Sequence, residues 1–100
     1  MEKQTPHYDL TVVQARVLRD GIFTFTATAR LGAAALGLSE AEAVSLVPGL
    51  RRNQCIKSMT TFAAHWVWQD VYHAMCLNGR VAFIKPTLQD GALVIQFKEK

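Results

Sequence analysis

A chain of 100 residues, half of them hydrophobic and 19% charged, has the make-up of one folded unit and excludes a disordered tail. No apolar run approaches the roughly 20 residues of a membrane helix, and Met1 to His7 lacks the apolar stretch of a signal peptide, so a cytoplasmic protein with a single domain over 1–100 is expected. The net charge of +3 is unevenly spread. Residues 1–50 carry Lys3, Arg16, Arg19 and Arg30 against Glu2, Asp9, Asp20, Glu40 and Glu42, whereas residues 51–100 carry Arg51, Arg52, Lys57, Arg80, Lys85, Lys98 and Lys100 against Asp70, Asp90 and Glu99. A polyanionic partner on the C-terminal half fits that bias, and so does a face that only keeps the protein in solution.

From Asp9 to Arg19 the apolar residues Leu10, Val13, Val17 and Leu18 recur at helical spacing, with Asp9 placed to cap the start and Gly21 following the end. Ile22-Phe23-Thr24-Phe25 is β-branched and aromatic and predicts a short strand. Ala27 to Leu36 is alanine-rich and helical, with Gly37 where a left-handed terminal residue is wanted. Ser39-Glu40-Ala41-Glu42 has the form of a capping box, opening a helix that runs to about Val47 and stops at Pro48-Gly49.

The period then changes, and residues 55–61, 66–72, 81–88 and 92–98 read as four strands. Asp90-Gly91 is a strong signal for a two-residue hairpin turn, which needs positive φ at both positions. That turn pairs Gln89 with Ala92 and places Leu88, Pro86 and Ile84 opposite Leu93, Ile95 and Phe97 on one apolar face. Thr87, Lys85 and Phe83 then oppose Val94, Gln96 and Lys98 on the other, and a slip of one residue would invert every side chain. Pro86 cannot donate to a ladder, so its missing N–H is expected to fall on an outward or bulged position. A short loop over 62–64 would pair Lys57 with Gln69 on a shared face. Lysines beside an exposed ring suit a single strand of RNA, where amines meet phosphates and rings stack on bases. An ordinary solvated sheet face is the alternative.

Cys55 and Cys76 have no CxxC spacing and are too few for a disulfide scaffold; both are expected to be reduced and partly buried. With His65 and His73 they form no ligand pattern, so neither metal nor cofactor is expected. The ordinary histidine titration range makes His73 and His7 candidates for acid–base catalysis, and His65 is the third histidine. Each has a structural reading: the N-terminal turn for His7, a loop for His65 and a strand end for His73. Trp66, Trp68 and Tyr72 share strand parity and fit a core or edge cluster.

Three blocks carry a family resemblance: Met1-Glu2-Lys3 with Thr5-Pro6-His7; Lys57-Ser58-Met59-Thr60-Thr61 through His65 and Trp68-Gln69-Asp70-Val71-Tyr72; and Phe97-Lys98-Glu99-Lys100. They resemble the motility quorum-sensing regulator (MqsR) family, ribonuclease toxins of bacterial toxin–antitoxin pairs. The resemblance implies a compact RelE-like α+β domain, an antiparallel sheet packed against N-terminal helices. It implies an endoribonuclease that cleaves messenger RNA at short GC-containing sites without ribosome, metal or cofactor, and that a cognate MqsA-like antitoxin neutralises. It places catalytic roles on Lys57, Gln69 and Lys98, and the family's catalytic tyrosine on Phe83. Lys85, His7, His73 and Arg80 are the expected RNA contacts. Because Phe83 lacks the hydroxyl, reduced activity is expected, with His73 or His7 as candidates to substitute. A weakened protein acting through its antitoxin, or a regulator that binds nucleic acid without cleaving it, are the competing expectations.

Overall fold

The computed structural model describes residues 1–61 and 66–100. Strand β1 (Glu2–Lys3) precedes helix α1 (Leu10–Asp20), a 3₁₀ turn (Gly21–Thr24), and helices α2 (Ala27–Ala35) and α3 (Glu40–Leu46). A second 3₁₀ turn (Arg52–Gln54) then leads into β2 (Cys55–Thr60), β3 (Trp68–Met75), β4 (Val81–Gln89) and β5 (Ala92–Glu99). The five strands form one antiparallel sheet in the order β1-β2-β3-β4-β5, so the α+β expectation holds. Among the described residues no helix is long and apolar enough to cross a membrane.

Local chemistry sets the helix ends. The Asp9 carboxylate accepts from the Thr11 N–H at 2.9 Å and opens α1. Gly21, at φ 57°, closes it. The Ser39–Glu42 capping box forms in both directions, at 3.1 and 2.9 Å. Gly37 takes φ 80° beyond α2. The strand expected at Ile22–Phe25 does not form. After the Gly21 reversal the chain tightens into the 3₁₀ turn, with the Thr24 hydroxyl donating to the Gly21 carbonyl at 2.8 Å. Only Phe25 reaches the sheet, through a single parallel bridge to Ile95. The free edge of β5 is taken by α2 instead, at Gly32, where any side-chain carbon would collide with the Phe97 carbonyl.

The core lies between the helices and one face of the sheet. Val13, Val17, Ala29, Ala33, Leu36, Ala43 and Val47 from the helical half meet Tyr72, Ala74, Ile84, Ile95 and Phe97 from the strands. The β4–β5 register is the one the Asp90-Gly91 turn demands, with both residues at positive φ and Gln89↔Ala92 through Phe83↔Lys98 in pair. Strand β3 starts later than expected, at Trp68, and continues to Met75, leaving Trp66 and Val67 in a turn. The loop over 62–64, and His65, lie outside the described residues.

The β3–β4 ladder runs from Met75↔Val81 to Tyr72↔Ile84 and ends two residues short of Pro86. A proline has no N–H to extend a ladder. Beyond that point the Tyr8 hydroxyl donates to the Trp68 carbonyl at 2.6 Å and lies near the Leu88 backbone.

One buried carboxylate ties the N-terminal segment to the sheet. Asp70 is fully buried, and its oxygens accept from the His7 N–H at 2.8 Å, the Tyr8 N–H at 3.0 Å and the Ser58 hydroxyl at 2.6 Å. A buried charge persists only when its lone pairs are satisfied in this way. Asp70→Asn replaces one acceptor by a donor facing donors. Urea denaturation of that variant should show a loss of about 1.5–3 kcal/mol, the worth of hydrogen bonds to a charged group. Unchanged stability would show that the three donors have other partners.

Candidate RNA-cleavage site

Alternation along β3, β4 and β5 sends Gln69, His73, Phe83, Lys85, Gln96 and Lys98 to the face away from the helices. Their neighbours Asp70, Tyr72, Ile84, Ile95 and Phe97 point to the helix side. Strand β2 reaches the same result by an irregularity. Cys55 pairs with Tyr72, but Lys57 pairs with Val71, so Ile56 is an extra residue opposite one step of β3. Cys55 packs on the core. Two residues later Lys57 would share that inward parity, and the bulge turns it outward, the re-aiming that bulges commonly perform.

Lys57 does not lie opposite Gln69, as a short loop would have required. Gln69 pairs with Met59, and Lys57 with Val71. The offset is two residues, an even number, so the lysine and the amide still share the outer face.

Phe83 is the centre of this face. The Lys85 and Lys98 amines stand 5.6 and 5.9 Å from its ring centroid, and the His73 ring lies 4.7 Å away, tilted by 55°. Thr28 of α2 joins Gln69, Lys85, Gln96, Phe97 and Lys98 around an open depression of about 230 Å³. Burial, then the ammoniums of Lys98 and Lys57, push Lys85 below the ordinary lysine value. The three amines are therefore electrostatic neighbours. Lys57 carries a long ion pair to Glu2, 3.7 Å, with both side chains well exposed. Such a pair contributes little to stability.

Two expected RNA contacts stand apart. His7 lies on the helix side: its ring stacks on Trp68 at 5.0 Å and 12°, and the Lys3 amine meets Nδ1 at 3.0 Å. An ammonium donating to Nδ1 leaves the proton of a neutral ring on Nε2. Burial, then Lys3, lower the His7 pKa, and Asp70 opposes them. His7 borders a larger open groove of about 620 Å³, shared with Tyr8, Arg51 and Arg52 and separate from the lysines. Arg80 is held at the hairpin end of β4 by a two-point ion pair to Glu99, at 2.7 and 2.8 Å.

Neither tyrosine replaces the hydroxyl that Phe83 lacks. The Tyr8 hydroxyl is held by the Trp68 carbonyl of β3, and Tyr72 is buried in the core, where burial raises its pKa and its oxygen has no hydrogen-bond partner among the described residues. Trp68 and Tyr72 do share inward parity, whereas Trp66 lies exposed in the preceding turn. Cys55 and Cys76 are both free thiols.

The family model for the motility quorum-sensing regulator, toxin of MqsA, matches residues 5–99. The chain belongs to the MqsR toxin family. The mRNA interferase toxin MqsR of Escherichia coli (strain K12) is 38% identical over 100 residues, with all of both chains covered. Of the blocks that carry the family resemblance, Ser58, Asp70 and Tyr72 point to the helix side, whereas Lys57, Gln69 and Lys98 share the outer face with Phe83. Sequence reasoning missed Asp70 and Tyr8, which hold that face in register. An acidic residue within the apolar run Trp66–Tyr72 was the available signal for Asp70.

His73 gives the face a pH-dependent component. Burial, then Lys100, lower its pKa, and Nε2 is buried without a hydrogen-bond partner among the described residues. The unfolded chain takes up the proton first as pH falls, so stability drops once pH passes below the free imidazole value of about 6.5. Above that pH the contribution is complete. Thermal melts between pH 8 and 5 should show a decline that is shallower in His73→Phe. An identical slope in the two proteins would assign the decline to other groups.

Proposed function

We propose that the chain is an endoribonuclease toxin that cleaves messenger RNA, with the amine-rich face around Phe83 as its active site. The membership of the MqsR family and the name of the Escherichia coli relative support the activity. The observation that carries the site is the convergence of Lys57, Lys85 and Lys98 with Gln69 on one open face beside an aromatic ring. In the same proposal, cleavage needs neither ribosome nor metal and falls at short GC-containing sites. The protein acts in the cytoplasm and is neutralised by an MqsA-like antitoxin.

The chemistry follows from the groups present. RNA carries its own nucleophile, the ribose 2′-OH. Attack on the adjacent phosphorus builds negative charge on the phosphoryl oxygens and then on the departing 5′-oxygen. Fixed cations aimed at developing charge are the strongest catalytic device for such a step. Lys57 and Lys98 hold the phosphoryl oxygens, and Gln69 hydrogen-bonds a phosphoryl oxygen or a base edge. Phe83 stacks on a base, as aromatic platforms do for unpaired strands. The products are a 2′,3′-cyclic phosphate and a 5′-hydroxyl. His73 borders the ring, and Arg80 and His7 would meet only RNA extending beyond the reacting linkage.

A second reading has its own observation. The family's tyrosine position holds Phe83, and both tyrosine hydroxyls of the chain are engaged or buried on the helix side. Loss of one acid–base group costs about 10²–10⁴ in rate. The protein would then act largely by binding its antitoxin.

Purified protein incubated with RNA in EDTA should yield cyclic-phosphate ends, and Lys57→Ala should lose about 10²-fold or more in rate. RNA that is bound but left intact would overturn the ribonuclease proposal. Phe83→Tyr should raise the cleavage rate. No gain would show that proton transfer runs through a different group.

A further inference from the structure

The proposed chemistry needs a proton for the departing 5′-oxygen, and Phe83 has none to give. Among the described residues, the outer face carries His73, Lys57, Lys85, Lys98 and Lys100 as the groups able to transfer one, and Lys100 lies past the end of β5 beside His73, outside the depression. His73 lies outside the lining of the depression, and its Nε2 is buried. Lys57 is drawn toward Glu2 at the sheet edge. Lys98 is on β5 and exposed. Lys85 is different: like Lys57 it is half-buried on an interior strand, but Lys85 lines the depression beside Gln69 and shares the Phe83 ring with Lys98.

We infer that Lys85 is the proton donor to the 5′-oxygen leaving group, while Lys57 and Lys98 hold the phosphoryl charge. The inference rests on the ribonuclease proposal and adds a role to it. The 2′-oxygen bonds to phosphorus and its proton leaves to water. The phosphorus–5′-oxygen bond breaks, and its electron pair takes a proton from the Lys85 ammonium. The neutral amine then regains a proton from water, and no oxidant or metal enters the balance.

The surroundings favour this division of labour. The groups facing Lys85 are Lys57 with Glu2 behind it, Gln69 and His73 of β3, Gln96 and Lys98 of β5, and Thr28 of α2. None of those nearest the amine is a carboxylate. Burial and two ammonium neighbours make the Lys85 proton easier to release than that of a free lysine. A donor whose pKa approaches the working pH is the better acid.

Two RNA oligonucleotides test the assignment, one with an ordinary linkage and one with sulfur bridging at the 5′ position of the scissile phosphate. A thiolate leaves without protonation. Lys85→Arg keeps the positive charge but holds its proton too tightly to donate it. It should lose about 10²–10⁴ in rate on the ordinary linkage, stay within a few-fold of the parent on the sulfur linkage, and bind a 2′-deoxy oligonucleotide equally well. Equal losses on both linkages would make Lys85 a phosphate-holding group and overturn the inference, as would near-parent cleavage of the ordinary linkage. The parent protein supplies a check independent of any variant's folding. Its rate on the ordinary linkage should fall with rising pH below the ordinary lysine range, with no such limb on the sulfur linkage, and superimposable profiles would also overturn the assignment. Failure of the parent to cut either oligonucleotide would instead sink the ribonuclease proposal itself.

Discussion

The arrangement depends on burying one negative charge, the carboxylate of Asp70. Left alone in the interior it would cost several kcal/mol. Its three donors come from separate parts of the chain: Ser58 on β2, and the backbones of His7 and Tyr8 ahead of α1. Meeting that demand fixes the β2–β3 register at Ser58↔Asp70 and lays residues 6–8 across the sheet. Because side chains alternate, an inward Asp70 compels Gln69 and Val71 to point outward. The carboxylate thus sets the orientation of a catalytic candidate that it never touches.

The outward face has the opposite character. Two ammoniums, Lys85 and Lys98, gather at one aromatic ring, Lys57 stands near enough to act on Lys85, and among the described residues the carboxylate paired with that group is Glu2. Like charges at this spacing repel within a Debye length of about 8–10 Å. The negative π-face of Phe83 offsets part of that repulsion, and solvent offsets more for Lys98. The remainder is relieved when an anion arrives. In the proposed function a phosphodiester meets a face organised before contact, which is the condition under which fixed charges aid a reaction most. The Ile56 bulge belongs to the same logic. It spends ladder regularity to bring a third amine to the face, in a strand whose simple alternation would have buried that amine in the core.

Much of this was legible in the sequence because local chemistry decides it. The Asp90-Gly91 turn admits one register, and that register alone puts Phe83, Lys85 and Lys98 together. The Asp9 and Ser39 caps are equally local. What escaped depends on distant partners. Ile22–Phe25 has strand-forming residues, but α2 occupies the β5 edge where a further strand would pair, and the propensity is overridden. Strand β1 is two residues long and exists only through its pairing with Ser58 and Met59. The two-residue offset between Lys57 and Gln69 follows from the Ile56 bulge and from pairing set at Asp70, neither of which spacing reveals. His7 belongs to a family block, yet its position against Trp68 follows from the Asp70 hydrogen bond to its own backbone.

The phenylalanine at the centre follows from these constraints. A hydroxyl at position 83 would have been the one uncharged acid among amines, and removing it leaves proton transfer to groups that also carry charge. An amine can serve as donor only where burial and like charges loosen its proton. Those conditions hold for an interior strand flanked by other ammoniums, and they do not hold for an exposed edge. Tyr8 and Tyr72 are unable to move outward to compensate, because one is held by the Trp68 carbonyl of β3 and the other fills the core. On the proposed mechanism, the sheet has a stacking surface that draws two amines together in place of a neutral acid, and the same crowding that makes the amines costly to assemble makes the Lys85 proton easier to release.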